Sequence, residues 1–113
     1  MSEPTTPPET LEQRITAWLQ VAAGTPDADA THLVAPAVEA WVDQLPSIHR
    51  DPAGDWAADT WLGATMLGAR LVRRRNSPAG IEAWNTDGAT YVRNQDPDVA
   101  SLLRLDSRRP KIG

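Results

Sequence analysis

The stretch Gly63-Ala64-Thr65-Met66-Leu67-Gly68-Ala69-Arg70-Leu71-Val72, running into Arg73-Arg74-Arg75-Asn76-Ser77-Pro78-Ala79-Gly80, decides the fold. Small and apolar residues fall almost all the way round a helix drawn through it, which is the pattern of a helix enclosed by others. With Asp55 as N-cap, the spacing predicts a central helix over 56–75. Gly63 and Gly68 each lower its intrinsic stability by about 1 kcal/mol relative to Ala, a cost compatible with close approach of a neighbouring backbone. Arg73, Arg74 and Arg75 complement the negative end of the helix dipole, Asn76 suits a left-handed cap, and Ser77-Pro78 forbids continuation.

Upstream, two more helices can be placed. Leu11, Ile15, Trp18, Leu19 and Ala22 form one stripe, Thr10 with Gln13 makes a capping-box pattern, and Gly24 and Pro26 end the segment. A second helix is expected over about 29–45, its apolar face made by Leu33, Val34, Ala37, Val38, Trp41 and Leu45, with Pro46 as the stop. Pro36 lies inside it. Proline removes a hydrogen bond and clashes with the preceding turn, so either a kink there or a regular helix starting near Ala35 is expected.

Downstream, residues 81–85 and 89–92 flank Thr86-Asp87-Gly88, a weak hairpin signal. Its aromatics, Trp84 and Tyr91, are more than so short an arm can bury alone, so it either folds down on the helices or reaches a neighbouring subunit. Asp96 before Pro97 opens a short last helix carrying Val99, Leu102, Leu103 and Leu105. The expected architecture is all-α: a small four-helix bundle-like domain with a long loop or short β-hairpin between the central and last helices. A flexible Pro-rich lead (1–9) precedes the single domain (10–105), and an extended C-terminal tail (106–113) follows it.

Composition bounds the function. At 113 residues the chain fits one domain with a thin core. Five Trp and no Phe concentrate its large apolar area in side chains that suit cores and subunit interfaces alike. The absence of Cys removes disulfides, thiol nucleophiles and thiolate metal sites. The polar, proline-rich start is read as no secretory signal, and the uncharged run 60–69 is about half of the roughly 20 residues a membrane span needs, so a soluble protein is expected.

Charge is divided along the chain. Residues 1–60 hold ten acids against Arg14 and Arg50, whereas residues 61–113 hold nine basic residues against five acids. A bipolar subunit tends to stack head to tail or to present opposite fields on two faces. The overall charge of −4 argues against a duplex-binding domain, which carries a basic footprint.

No catalytic constellation is found: there is no phosphate-cradling Gly loop, no HExxH and no nucleophile elbow. His32 and His49 lie on different segments without trustworthy ligand spacing, and Asp55 with Asp59 at i, i+4 reads as a solvated helix start. The chain is read as a non-enzyme without cofactor or metal.

These strings together closely resemble the head-to-tail adaptor proteins of long-tailed bacteriophages. The resemblance rests on Trp41 to Leu45-Pro46, the run 63–71, Arg74-Arg75-Asn76-Ser77-Pro78-Ala79-Gly80, Gly88, Tyr91-Val92-Arg93, Asp96-Pro97-Asp98-Val99-Ala100, Leu102-Leu103 and the terminal Arg109-Pro110-Lys111-Ile112-Gly113. It covers about residues 27–113. It implies a virion protein, assembled in the host cytoplasm, whose copies form a ring, commonly twelve-fold, at the head-tail junction. The partners implied are the portal protein above, a tail-side stopper or tail completion protein below, and double-stranded DNA that passes through the channel without specific binding; no membrane is involved.

Carried onto this chain, the resemblance makes Arg108, Arg109, Pro110, Lys111, Ile112 and Gly113 the portal-docking tail. Trp84, Tyr91, Arg73, Arg74 and Arg75 become candidates for subunit or ring contacts, and Asp43, Asp55 and Asp59 candidates for a channel-facing acidic wall that lets DNA slide. The competing expectation is a small helical nucleic-acid-binding or regulatory protein that uses residues 70–75 as its basic contact.

Overall fold

The computed structural model describes residues 10–74, 84 and 87–105. Among them the chain is all-α, with five helices and no strand: α1 (Leu11–Leu19), α2 (Pro26–Asp43), α3 (Ala58–Arg73), α4 (Gly88–Gln95) and α5 (Pro97–Leu102). Helix α3 is the centre; α1, α2 and α5 all pack on it, and α4 packs on α5. Leu67, Leu71 and Val72 of α3 meet Leu11, Ile15, Val38, Val42, Val92, Val99 and Leu103 in one core.

The first helix starts as the capping box dictates. The Thr10 amide donates to Gln13 Oε1 (2.8 Å) and the Gln13 amide to Thr10 Oγ1 (3.1 Å). It ends earlier than Gly24, because Gln20 takes a left-handed conformation (φ 55°) that closes the last turn. Leu11 and Ile15 are buried, while Trp18 remains 53% exposed.

Helix α2 differs from expectation in extent and partly in face: Val38 is buried and Val34, Trp41 and Leu45 pack against the core as expected, whereas Leu33 and Ala37 are exposed. Thr25 caps it and Pro26 occupies its first turn, where a missing amide costs nothing. It then runs unbroken through Pro36, whose ring lies on the exposed side, so its regular part does not wait for Ala35. The buried stripe is Thr31, Ala35, Val38 and Val42, a helical i, i+4, i+7, i+11 face, and Leu33 is 74% exposed. Small residues with Thr31 won the core side because Thr31 Oγ1 donates to the Asp27 carbonyl (2.8 Å) and so carries no unmet polar group inward.

Helix α3 begins at Ala58 with Ala57 as N-cap, so Asp55 is not its cap. Asp55 instead closes the preceding loop: its amide donates to Asp51 Oδ1 (3.0 Å) and its carbonyl accepts from the Asp51 amide (2.8 Å). Within α3, what comes close at the two glycines is side chains, not the neighbouring backbone that was expected. A Cβ on Gly68 would run into Ile15, and one on Gly63 would lie 3.0 Å from both Leu102 Cβ and Leu103 Cδ2.

The second half of the expected hairpin arm is helix α4. Asp87 caps it, accepting from the Thr90 amide (3.2 Å) and hydroxyl (2.9 Å). Local capping outweighs the Asp-Gly turn signal because Gly88 serves packing: a Cβ there would sit 2.6 Å from Trp41 Cε2. Apart from Trp84, residues 81–85 lie outside the described residues, as do the 1–9 lead and the 106–113 tail. Gly88→Ala is expected to cost about 2 kcal/mol through displacement of the rigid indole, measured by urea unfolding.

Helix α5 stops at Leu102, and Arg104 (φ 62°) turns the chain so that the Leu105 amide reaches the Ala100 carbonyl (2.7 Å). Leu105 is buried after that turn rather than on the helix.

Candidate functional site

The densest polar construction lies where α3 ends against α4 and α5. Arg70 and Arg74 are one helical turn apart on α3 and therefore share a face. Both reach Asp96, which is only 2% exposed in the junction between α4 and α5. Arg74 grips it with two nitrogens, Nη1 to Oδ2 at 3.0 Å and Nη2 to Oδ1 at 2.9 Å, while Arg70 Nη1 donates to Oδ1 at 3.0 Å. Arg70 also holds Asp98 through two bonds of 2.7 Å, and Arg74 Nη1 donates to the Tyr91 hydroxyl at 2.8 Å.

Geometry of this kind fixes planar groups against each other and satisfies a carboxylate that burial would otherwise penalise. The Asp98 bonds push Arg70 well above its ordinary value, and Asp96 does the same to Arg74. Arg70 in turn holds the Asp98 carboxyl down at about 2. A depressed carboxylate contributes stability that is fully present above its unfolded value of 3.8 and is lost as pH falls toward 2. Acid titration followed by circular dichroism should therefore show a loss of stability beginning below about pH 4, and Asp98→Asn should flatten that slope. Because Asp98 is half exposed, the loss from this group is expected to stay under about 1 kcal/mol.

Asp96 occupies the N-cap position of the last helix, with Pro97 in the first turn as expected, but its side chain makes no cap bond and both its oxygens accept from the arginines. The clue in the sequence is the i, i+4 spacing of Arg70 and Arg74 opposite the acid pair around Pro97. Beside this clasp, an open groove is lined by Trp18, Leu19, Ala69, Arg73 and Gln95 together with the clasp itself.

A second groove, of about 670 Å³, lies at the opposite end of α3. Its floor is apolar, made of Pro36, Ala40, Trp56 and Trp61, and its rim carries Glu39, Asp43 and Asp55. The two indoles pack with centroids 4.6 Å apart, and Arg14 lies 4.4 Å over the Trp61 ring from behind. Asp43 accepts from Arg50 Nη2 (3.0 Å) and from Trp56 Nε1 (3.1 Å), and these bonds hold its carboxyl below the usual range. Arg50 is further committed to the Gly54 carbonyl (2.9 Å), which leaves Glu39 and Asp55 as exposed acids on the rim.

The expected contact residues are thereby sorted. Trp84 is 7% exposed and meets Trp41 edge-on at 5.7 Å, and half-buried Tyr91 is tied to Arg74, so both aromatics pack on the helices of their own chain. Arg73 is exposed, Arg74 is committed to the clasp, and Arg75 lies outside the described residues. Of the three acids, Asp55 is exposed, Asp43 is paired as above, and Asp59 is paired with Arg104 (3.0 Å) and His49 (3.4 Å). Partial burial pushes Asp59 up, but the Arg104 and Thr60 hydrogen bonds hold it below its ordinary value.

No group of three His, Cys, Asp or Glu residues among the described residues is arranged to hold a metal ion, and no helix among them is long and apolar enough to cross a membrane. No family model, curated protein or solved structure matches the chain.

Proposed function

We propose that this chain is a structural subunit of a ring that joins the portal of a DNA-filled phage head to the tail-side stopper or tail proteins and continues the DNA channel. The observation that supports this reading is that Arg74, which opens one characteristic string, pairs with Asp96, which opens the other, Asp96-Pro97-Asp98. A pattern without catalytic residues thus has a physical reason to hold together: it locks the end of the central helix to the last two helices. In this reading the five helices are the bundle-like body, and residues 108–113 are the portal-docking tail. The exposed Arg73 and Trp18 are the residues free to meet a neighbouring copy, and Asp55 with Glu39 supplies outward negative charge.

The nucleic-acid-binding alternative loses ground on the same geometry. Arg70 and Arg74 spend their donors on carboxylates, so the 70–75 segment presents far less free positive charge than its sequence suggests.

Electron microscopy of particles carrying this chain is the test. A ring of copies between portal and tail is the expected result, and a complete junction without the chain would overturn the reading. Deletion of residues 108–113 should leave the helical circular dichroism intact and abolish attachment to the portal; normal incorporation of the shortened chain would reject the docking role of the tail.

A further inference from the structure

We infer that the Trp-floored acidic groove between α2 and the start of α3 is the seat of the chain's own C-terminal tail. Three observations converge on that occupant. The groove pairs an apolar floor (Pro36, Ala40, Trp56, Trp61) with exposed acids at Glu39 and Asp55, while Arg50, the cation on its rim, is spent on Asp43 and Gly54. The tail, Asp106-Ser107-Arg108-Arg109-Pro110-Lys111-Ile112-Gly113, carries the complementary set: three cations, a proline and one aliphatic side chain. Extended proline-containing segments suit aromatic-lined grooves, and Arg and Lys suit both Trp faces and carboxylate rims.

The third observation is where the tail begins. Ser47 Oγ donates to the Leu103 carbonyl (2.9 Å) and Arg104 pairs with Asp59 (3.0 Å), so the residues that follow α5 are tied to the α2–α3 loop, which also lines the groove, and to the first turn of α3. Ile112 is seven residues beyond Leu105, which at about 3.3 Å each gives it a reach of about 23 Å from that anchored end. The short tether raises the effective concentration of the tail at its own groove above that of any free partner.

This assignment stands apart from the adaptor reading. Where both hold, the portal has to draw the tail out of the groove, so docking becomes a competition instead of a simple capture.

Because the chain has no cysteine, a nitroxide spin label on Gly113→Cys of the full-length protein is unique. The five indole N–H resonances then report which tryptophans the tail visits. The expected result is loss of most of the Trp56 and Trp61 intensity with Trp18 and Trp84 little changed, and recovery of Trp56 and Trp61 in Glu39→Lys/Asp55→Lys and near 1 M salt. Equal broadening of all five, no broadening, or broadening that survives both treatments would overturn the inference. So would transfer of the effect to an isotope-labelled, spin-free copy in a mixture, which would assign the groove to the tail of a neighbour.

Discussion

Asp96→Ala is expected to lower the unfolding free energy by about 3 kcal/mol, the low end of what removal of one partner from a buried charge cluster costs. The low end applies because Arg70 and Arg74 are each about one-third exposed (32%), so water can take over part of their solvation when the carboxylate is gone. Arg70 also retains Asp98, whereas Arg74 keeps only Tyr91. Arg74→Met should therefore cost less than Asp96→Ala, since it removes a cation that can be hydrated and leaves Asp96 paired with Arg70. Urea unfolding of the single and double variants decides it. Additive losses would mean that Arg74 and Asp96 are not energetically coupled, while a double variant little worse than Asp96→Ala is expected.

The second large effect is at Leu103, fully buried beneath α3. Leu103→Ala should cost about 3 kcal/mol, because truncation loses transfer energy and leaves a cavity that α5, a helix of six residues, can only partly close. The partner position gives a sharper test. Gly63→Ala in the native background forces its new methyl to 3.0–3.1 Å from Leu103 Cδ2 and Cγ and should destabilise. In the Leu103→Ala background those two atoms are absent while Leu102 Cβ stays 3.0 Å away, so the clash is relieved in part and the same substitution should cost clearly less than in the native background. The smaller loss, read from chemical denaturation of the four proteins, identifies the contact; a loss of equal size in both backgrounds would refute it.

Legibility followed how local each determinant was. The capping box at Thr10 and Gln13 and the enclosed character of α3 were readable because adjacent turns of one helix supply both partners. The face of α2 was readable only in part: Val34, Val38, Trp41 and Leu45 do turn to the core, but the inward Thr31 and outward Leu33 depend on the bonding of Thr31 to the Asp27 carbonyl. The Asp87-Gly88 pair misled for a related reason: the same two residues serve a turn or a helix start, and Trp41, 47 positions away in the chain, makes the choice. The arginine clasp escaped because its halves are 22 to 28 residues apart, and each has a sufficient local explanation as helix-end charge or cap. For the function, only the resemblance spoke. The proposed role, an assembly subunit, would involve no reacting atoms whose chemistry dictates residue types at fixed spacing.

The clasp also governs how this chain tolerates change in length. Arg74 and Trp84 are both held by the body of the domain, so the span between them is a closure whose ends are fixed whatever lies inside. By polymer statistics, doubling such a span adds only about 0.6 kcal/mol of closure entropy. A flexible insertion placed between these two anchors is therefore expected to leave the packing and register of the helices unchanged.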